Sequence, residues 1–255
     1  RFILMELKKG KKIYFASDNH LGAPSREKSL EREKIFVKWL DKIKKDACEI
    51  FLLGDLFDFW IEYNEVVPKG FVRVLGKLAE ISDSGIQINF FVGNHDLWTK
   101  DYFQKELGIR VYKKSTQFNF NNYLFFVGHG DGLGPSDKGY KILKKIFTNS
   151  VMQSLFRVIH PDIAVKLGRY FSQEDMLLSG GTSDYLGEEN EWLIQYCKKK
   201  LKQKNINFFI FGHRHLPLNI NLSSDSKYIN LGDWIEHYSY AVFDGKKIEL
   251  KKFKY

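Results

Sequence analysis

The sequence predicts an α/β fold, and two observations carry that prediction. Short apolar runs alternate with amphipathic helical segments in the first part of the chain, which is typical of a mainly parallel sheet covered on both faces. Several of those runs end in glycine followed by a polar residue, as buried strands often do. A chain of 255 residues suits one domain of this class.

The first elements alternate in type. Residues 12–17 are expected to form a strand, and residues 27–47 an amphipathic helix with apolar side chains at helical spacing. The apolar runs EIFLLG (49–54) and IQINFFVG (86–93) are the next two strands, with a helix at about 70–83 between them. This order indicates strand–helix–strand units and therefore parallel pairing.

The pattern changes in the middle of the chain. The runs STQFNF (115–120) and YLFFVG (123–128), joined by two asparagines, predict a hairpin. Residues 132–181 have no strand pattern and are expected to form short helices with a basic fringe. We therefore expect residues 1–255 to form one domain that carries a helical insertion at about 132–181.

The last part of the chain returns to sheet. A helix at 187–203, a strand at 206–212 and a β-rich tail are expected there. The chain has only two cysteines, both expected in helices, which excludes a disulfide framework or a thiolate metal site and favours a reducing compartment. It has no apolar run of membrane-spanning length and no signal-peptide pattern, so a cytoplasmic location is expected.

Polar residues with metal-ligating side chains follow five of the predicted strands. They are Asp18 and His20; Asp55 and Asp58; Asn94, His95 and Asp96; His129 and Asp131; and His213 and His215. In open α/β sheets, ligands bind at the carboxyl ends of strands, so these residues are expected to converge. The glycines before Asp55, Asn94, His129 and His213 are expected where the backbone turns sharply beside a ligand. Each motif alone could be a simple turn or helix cap.

The set of donors indicates a metal centre. Carboxylate, amide and imidazole groups without thiolate suit Mn²⁺, Fe²⁺ or Zn²⁺ in a catalytic rather than a structural site. There are too many ligands for one ion that must also admit water and substrate, whereas two ions sharing a bridging carboxylate would use them all.

These motifs resemble those of the calcineurin-like metallophosphoesterases, in which D-x-H, G-D-x-x-D, G-N-H-[DE], G-H and G-H-x-H occur in this order. The resemblance implies a β-sandwich flanked by helices and two divalent metal ions, with Mn²⁺ favoured. It implies that one ion is held by Asp18, His20 and His215, that the other is held by Asn94, His129 and His213, and that Asp55 bridges them. His95 would face the scissile phosphate as a catalytic residue beside Asp55, and Asp58 and Asp96 would orient ligands.

One subfamily fits further, the UDP-2,3-diacylglucosamine diphosphatases of lipid A synthesis in bacteria, which release UMP and lipid X. The similarity runs through ASDNHLG, FLLGDLFDFW, GNHDLW, GHGDGLGPSDKGY and YINLGDWIEH. It implies a helical cap over an acyl-chain groove. The substrate contacts that it implies are Asn94, His95, Asp137, Tyr140, Arg169, Ser172 and His213. This chain departs from proteobacterial members, which have arginine where His95 stands.

The charge balance indicates the kind of partner. A formal net charge of +9 favours polyanions. A basic amphipathic cap suits an acylated, anionic nucleotide-sugar substrate taken from an anionic membrane surface, with the protein peripheral on the cytoplasmic face of the inner membrane. The alternatives are another calcineurin-like phosphodiesterase, a nucleotide pyrophosphatase, a nuclease or a metal-bearing scaffold without catalysis. No nucleic acid is expected, because no stacking module, zinc finger or basic tail is present.

Overall fold

The computed structural model describes residues 4–134, 138–178 and 184–255. The strands in these residues are β1 (Leu4–Met5), β2 (Lys12–Ala16), β3 (Ala47–Leu52), β4 (Gln87–Phe91), β5 (Arg110–Tyr112), β6 (Thr116–Phe120), β7 (Tyr123–Val127), β8 (Phe208–Phe211), β9 (Pro217–Asn221), β10 (Lys227–Leu231), β11 (Ser239–Phe243) and β12 (Ile248–Lys252). The helices are α1 (Arg26–Ile43), α2 (Val72–Asp83), α3 (Tyr102–Lys105), α4 (Lys138–Phe147), α5 (Ser150–Phe156), α6 (Pro161–Leu178) and α7 (Trp192–Leu201).

The described strands form two six-stranded sheets. Sheet I has the order β12-β11-β2-β3-β4-β5, and its strands β2 to β5 are parallel, as the helix–strand alternation predicts. Sheet II has the order β1-β6-β7-β8-β10-β9 and is mixed. It contains the predicted hairpin, β6 and β7, which pairs with β8, and the strands β9 and β10 of the β-rich tail.

Aromatic side chains fill the space between the two sheets. Phe15 and Phe51 of sheet I stack with ring centroids 5.0 Å apart, and Phe15 also stacks on Phe125 of sheet II at 6.1 Å. Phe125 in turn lies 4.8 Å from Phe208. Such ring pairs bury large apolar areas and add roughly 0.5–1.5 kcal/mol each beyond that burial. The high aromatic content of the chain is therefore explained largely by this core.

Helices cover the outer faces of both sheets. On sheet I, Trp39 of α1 is fully buried and packs 5.1 Å from Trp234. On sheet II, Leu193 and Cys197 of α7 are fully buried in a cluster with Phe209. The layers are thus helix, sheet, sheet and helix, and the expectation of a β-sandwich flanked by helices is confirmed.

The first helix is shorter than its sequence pattern predicts. It ends at Ile43, and β3 begins at Ala47, so Cys48 lies in a strand and not in a helix. The chain turns at Asp46, whose carboxylate accepts hydrogen bonds from Nζ of Lys12 and the hydroxyl of Tyr14, each at 2.7 Å. These two hydrogen bonds hold the turn against β2. A helical period in the sequence does not predict such contacts with a distant strand.

The insertion is helical in its described part and rests on the core. Trp98 of the core packs edge-on against Phe156 of α5 with ring centroids 4.3 Å apart. The Arg157 side chain donates to the carbonyl of Glu62 at 2.9 Å, and the Tyr63 hydroxyl donates to the carbonyl of Ile159 at 3.0 Å. Among the described residues, we find no helix with the length and apolar character needed to cross a bilayer.

Candidate metal centre

The loops that follow β2, β3 and β4 of sheet I and β7 and β8 of sheet II meet at one edge of the sandwich. They carry the seven residues selected as metal ligands from the sequence: Asp18, His20, Asp55, Asn94, His129, His213 and His215. Among the described residues, three overlapping groups of three side chains have donor atoms that lie within 4.8 Å of one another. Two of them are the ligand groups, Asp18 with His20 and His215, and Asp55 with His129 and His213. The third consists of His20, Asp55 and His95, and it joins the two ligand groups.

Asp55 belongs to the second ligand group and also lies beside His20 of the first. Its Oδ2 is 3.1 Å from Nε2 of His129 and 3.8 Å from Nε2 of His20. Its other oxygen, Oδ1, accepts the backbone N–H of His95 at 3.0 Å. One carboxylate oxygen therefore faces a histidine from each group, while the second oxygen is held by the backbone.

The remaining donors are grouped equally closely. The ε-nitrogens of His20 and His215 lie 3.1 Å apart, and Oδ1 of Asp18 is 3.3 Å from Nε2 of His215. On the other side, Oδ1 of Asn94 is 2.9 Å from Nε2 of His129. Ligand atoms that share an ion at about 2.0–2.2 Å are separated by distances of this order.

The backbone at the centre is strained. Five of the seven selected residues have a positive φ, between 44° and 67°: Asp18, His20, Asp55, His213 and His215. This left-handed conformation is uncommon outside glycine and costs on the order of 1–3 kcal/mol per residue. The surrounding structure must therefore hold these loops in place, which is characteristic of a functional site.

The glycines before the ligands are mainly required for close approach. Of the four, Gly54 has a positive φ, +90°, as a sharp turn requires. Gly93 and Gly212 do not have a positive φ, but a Cβ atom on Gly93 would overlap Oδ1 of Asp55, and one on Gly212 would overlap Oδ2 of Asp18. The expectation of sharp turns thus holds for Gly54, whereas Gly93 and Gly212 make room for a carboxylate.

One hydrogen bond and two nearby carboxylates orient the imidazole rings. Nδ1 of His129 lies 2.7 Å from the carbonyl oxygen of Leu53, which can only accept a hydrogen bond, so Nδ1 carries a proton and Nε2 is the nitrogen that faces Asp55 and Asn94. Nδ1 of His20 is 3.6 Å from Oδ1 of Asp58, and Nδ1 of His215 is 3.9 Å from Oδ2 of Asp233. Each ring therefore turns its ε-nitrogen toward the centre.

Asp96 acts on the backbone rather than on a ligand. Its carboxylate is fully buried and accepts the backbone N–H of Leu56 at 3.2 Å and that of Gly93. Burial and the nearby charge of Asp55 raise the pKa of Asp96 well above its usual value. Asp96 thus links the loop after β3 to the loop after β4. Asp58, in contrast, lies beside the proposed ligand His20.

The electrostatic environment favours charged carboxylates. Burial alone would raise the pKa of Asp55, but the charges on His129 and His95 outweigh it and hold that pKa well below its usual value. In the same way, burial lowers the pKa of His129, but the carboxylate of Asp55 outweighs burial and raises that pKa to about 10. Burial and the charge on His129 lower the pKa of His213 to about 4.

The donor set fits divalent metal ions. It consists of buried carboxylate, amide and imidazole groups without thiolate, and the hydrogen bond from Nδ1 of His129 fixes the tautomer that a metal needs. The ε-nitrogens of His20 and His215 lie 3.1 Å apart and face the same small space, where both could bind one cation. The centre can therefore hold two divalent ions, one in each group.

The residues selected as substrate contacts lie at several places. Ser172 is buried, with Oγ 2.9 Å from Nδ1 of His95. The hydroxyl of Tyr140 donates to the carboxylate of Asp131. Arg169 is exposed and lines a cavity of about 500 Å³ between α6 and residues 61–69. Asp137 lies outside the described residues, while Asn94 and His213 belong to the centre itself.

Sequence reasoning missed three residues that support the centre. Asp233 lies beside His215 and accepts the backbone N–H groups of residues 235–237 through Oδ1. Arg32 of α1 donates to the carbonyl oxygens of Asn19 and His20 at 3.0 and 2.8 Å. Glu191 binds Arg214. A strand-end signal was available for Asp233, which follows Gly232 after β10, but not for Arg32 or Glu191.

Comparisons with known proteins show the family of this chain. The family model described as "Calcineurin-like phosphoesterase" matches residues 11–217. A UDP-2,3-diacylglucosamine hydrolase from Porphyromonas gingivalis is 38% identical over 95% of this chain and 98% of its own length. A UDP-2,3-diacylglucosamine hydrolase from Wigglesworthia glossinidia brevipalpis is 30% identical over 94% of this chain and 93% of its own length. A solved dimetal phosphatase from Danio rerio aligns with a TM-score of 0.46 at 14% identity, covering 96% of each chain.

Proposed function

Because this chain belongs to the calcineurin-like phosphoesterase family, we propose that it is a metal-dependent hydrolase that cleaves the pyrophosphate bond of UDP-2,3-diacylglucosamine. The products are UMP and 2,3-diacylglucosamine 1-phosphate, as in lipid A synthesis. The substrate assignment rests on the 38% identity to the Porphyromonas gingivalis hydrolase over nearly the full length of both chains. The clustered histidines and carboxylates at the strand ends support the hydrolytic chemistry.

We assign the residues of the centre as follows. Asp18, His20 and His215 hold one ion, Asn94, His129 and His213 hold the other, and Asp55 contacts both. We propose Mn²⁺ as the ion, because oxygen and imidazole donors without thiolate suit it. When bound, two such ions lower the pKa of water and neutralise negative charge on a phosphoryl group.

The chain's own residues orient the reaction. One ring nitrogen of His95 lies within 4.8 Å of donor atoms of His20 and Asp55, so this imidazole borders the place where the phosphate must sit. His95 stabilises the charge that develops on the phosphoryl oxygens or donates a proton to the leaving oxygen. Asn94 and His213 also contact the phosphate, and Asp137, Tyr140, Arg169 and Ser172 complete the substrate contacts that we expect.

The cavity beside α6 supports an acylated substrate. Its walls include the apolar side chains of Ile61, Val67 and Val165, and Lys166 and Arg169 also line it. A cavity of about 500 Å³ is within the usual size range for small-molecule sites. Apolar walls suit an acyl chain, and the cations suit the anionic part of the same molecule. We propose that residues 132–181 form the cap of a single domain spanning residues 1–255.

We further propose that the cap docks on the cytoplasmic face of an anionic membrane. The exposed fractions of Val151, Leu155 and Val158 are 64, 60 and 84%. Lys145 is exposed in the last turn of the adjacent helix, α4, whereas Lys144 in the same turn is paired with Asp131. Apolar side chains next to lysines are typical of interfacial helices, which bind by inserting the former and pairing the latter with lipid phosphates.

Substrate hydrolysis tests the function. Protein loaded with Mn²⁺ is incubated with UDP-2,3-diacylglucosamine, and ³¹P NMR follows the appearance of UMP. We expect rapid release from this substrate, slow release from UDP-N-acetylglucosamine, and no cleavage of a DNA oligonucleotide. Cleavage of DNA, or equal rates on both nucleotide sugars, would contradict the substrate assignment.

A cavity-filling variant tests the acyl site. Val165→Trp should slow hydrolysis of the acylated substrate but leave the hydrolysis of bis(p-nitrophenyl) phosphate unchanged, because only the former needs the cavity. The control is Val72→Trp, at an exposed position on α2. Equal losses on both substrates would show that the cavity is not an acyl site.

Vesicle sedimentation tests the membrane surface. We expect the protein to sediment with vesicles containing phosphatidylglycerol more than with pure phosphatidylcholine. Val158→Asp should reduce sedimentation, whereas Val72→Asp, at a similarly exposed position on α2, should not. Sedimentation velocity without lipid detects self-association, and a dimer that Val158→Asp dissociates would replace the membrane assignment.

A further inference from the structure

A buried arginine of α1 binds the loop that carries two ligands of the first group. Arg32 is 5% exposed, and its Nη1 donates to the carbonyl oxygens of Asn19 and His20 at 3.0 and 2.8 Å. Among the described residues, the Asn19 carbonyl has no other hydrogen-bond donor, whereas the His20 carbonyl also accepts the backbone N–H of Ala23 at 3.2 Å. An arginine is rarely buried without a specific partner, so this contact needs an explanation.

The loop has a strained backbone that is held from two elements. Asp18 and His20 both have a positive φ, and such residues persist only where the surrounding structure holds them. Their backbone N–H groups donate to the carbonyl oxygens of Gly54 and Asp55, at 3.1 and 2.9 Å, in the loop after β3. Two carbonyl groups of the strained loop are bound instead by Arg32. Hydrogen bonds from a charged donor are about twice as strong as neutral ones, so α1 makes a large contribution to holding the loop.

His20 depends on its backbone more than Asp18 does. The carboxylate of Asp18 accepts the backbone N–H of His213 through Oδ2 at 2.9 Å, which fixes that side chain directly. Nδ1 of His20 has no hydrogen-bond partner within the described residues, and Oδ1 of Asp58 is 3.6 Å away. The place of the His20 imidazole is therefore set mainly by the backbone that Arg32 holds.

Packing that does not involve Arg32 holds α1 on sheet I. Phe36, one turn later on this helix, is fully buried, and its ring centroid lies 4.7 Å from that of Trp234. The guanidinium itself is attracted by the carboxylates of Asp233 and Asp58, which offsets part of the cost of burying it. Replacement of Arg32 should therefore leave α1 in place and release the loop.

We infer that Arg32 is a positioning residue for one of the two proposed ions, because it holds His20 where it can share an ion with Asp18 and His215. Its hydrogen bonds reach the loop of the first ligand group and not the loops of the second. The inference rests on the ligand groups of the proposed function. It goes beyond them by making the two ions unequal, since the first depends on α1 and the second does not.

Metal titration tests this inequality. Isothermal titration with Mn²⁺ should show two ions bound to the unaltered protein, and Arg32→Met should weaken one of them by about 10-fold or more and leave the other unchanged. Arg32→Lys keeps one cationic donor and should recover part of the affinity, and it replaces Arg32→Met in all measurements if the latter does not fold. The control is Arg73→Met, at an exposed position on α2.

Ligand variants identify the affected ion. In a His215→Ala background, which lacks a ligand of the first group, Arg32→Met should change Mn²⁺ binding no further. In a His129→Ala background it should weaken the ion that remains. Equal weakening of both ions by Arg32→Met, or no change in either, would overturn the inference.

Hydrogen exchange of the metal-free protein is independent of both metal binding and catalysis. Arg32→Met should speed exchange at the amide of His20, which donates to the carbonyl of Asp55. The amide of Gly212, which donates to the carbonyl of His129 at 2.9 Å, should exchange at an unchanged rate. Equal acceleration at both amides would show general destabilisation and would contradict a local positioning role.

These measurements separate failure of this inference from failure of the proposed function. A protein that binds two Mn²⁺ ions, loses one in Arg32→Met and hydrolyses no phosphoester would overturn the function and leave the role of Arg32 established. A protein that hydrolyses UDP-2,3-diacylglucosamine, but whose Arg32→Met variant binds both ions as tightly as the unaltered protein, would overturn the inference alone.

Discussion

The guanidinium of Arg214 forms a two-pronged ion pair with the carboxylate of Glu191, through Nε at 3.0 Å and Nη2 at 2.8 Å. Arg214 lies between the ligands His213 and His215, and Glu191 is the N-cap residue of α7. The Glu191 side chain is fully buried and that of Arg214 is 11% exposed. The pair therefore ties the loop that carries two metal ligands to the helix that covers sheet II.

We predict that Glu191→Gln destabilises the protein and loosens this loop. The amide keeps the shape but cannot accept two charge-assisted hydrogen bonds, which leaves the buried Arg214 undercompensated and costs roughly 2 kcal/mol of unfolding free energy. Urea unfolding measures that loss, and isothermal titration with Mn²⁺ should show weaker binding. The control is Glu189→Gln, because the Glu189 side chain is 86% exposed. Equal stability of the two variants would contradict the prediction.

The strand ends were predictable, and the contacts between distant segments were not. Asp18, Asp55 and His129 could be selected because each follows an apolar run at a position that a local pattern reveals. In contrast, Nδ1 of His95 contacts Ser172, 77 residues later, and no local period relates the two residues. Arg32 is a similar case. The helical pattern of α1 indicates whether a position is exposed or buried, but it does not predict that Arg32 donates a hydrogen bond to the carbonyl oxygen of His20.

The second sheet could not be predicted for a related reason. Hairpin and strand patterns in the sequence predict which neighbouring strands pair. They do not predict whether a later strand joins sheet I or belongs to sheet II, because that depends on contacts between residues far apart in sequence, such as Phe15 and Phe125. Resemblance to known phosphoesterases predicted the sandwich because it carries information on tertiary structure that periodicity lacks.

Close packing at Gly93 leads to a second prediction. A Cβ atom there would overlap Oδ1 of Asp55 and lie 2.7 Å from its backbone nitrogen, so Gly93→Ala should displace Asp55 and abolish metal-dependent hydrolysis. The matched change is Gly76→Ala on α2, where a Cβ atom has nothing within 4 Å. It should keep activity and raise stability by up to about 1 kcal/mol, since alanine favours helix. Assays on bis(p-nitrophenyl) phosphate and urea unfolding compare the two, and full activity of Gly93→Ala would refute the argument.

Removal of the shared carboxylate gives a third prediction. Asp55→Asn takes away the negative charge that faces both His20 and His129, so we expect fewer than two tightly bound Mn²⁺ ions per chain and loss of hydrolysis. At a hundredfold excess over Kd, Mn²⁺ should raise the unfolding free energy of the unaltered protein by about 2.7 kcal/mol for each bound ion, and by less in the variant.

The control for this change is Asp83→Asn, because Asp83 is exposed at the end of α2 and does not line the cavity beside α6. Metal content by elemental analysis and thermal unfolding with and without chelator provide the measurements. Two bound ions and retained hydrolysis in Asp55→Asn, in an assay replete with metal, would remove Asp55 from its bridging role.

A buried carboxyl group that is not one of the proposed ligands gives the last prediction. Glu49 of β3 is 3% exposed and accepts a hydrogen bond from Nδ2 of Asn89 at 2.9 Å. Burial raises the pKa of Glu49 to about 7, although Asn89 and Arg110 oppose the shift. The folded protein therefore keeps this carboxyl protonated at pH values where the unfolded chain has lost the proton.

Stability should consequently fall as pH rises. Below a pH of about 4.5 the folded and unfolded states both bind the proton, so the contribution of Glu49 to the free energy of unfolding is fully present. That contribution is lost as pH rises through about 7. Glu49→Gln keeps an acceptor for Asn89 but does not ionise, so it should gain about 3 kcal/mol relative to the unaltered protein between pH 4 and pH 8. Urea unfolding across this range measures the difference, with the exposed Glu31→Gln as control. A difference between Glu49→Gln and the unaltered protein that does not change with pH would mean that Glu49 is ionised in the folded state.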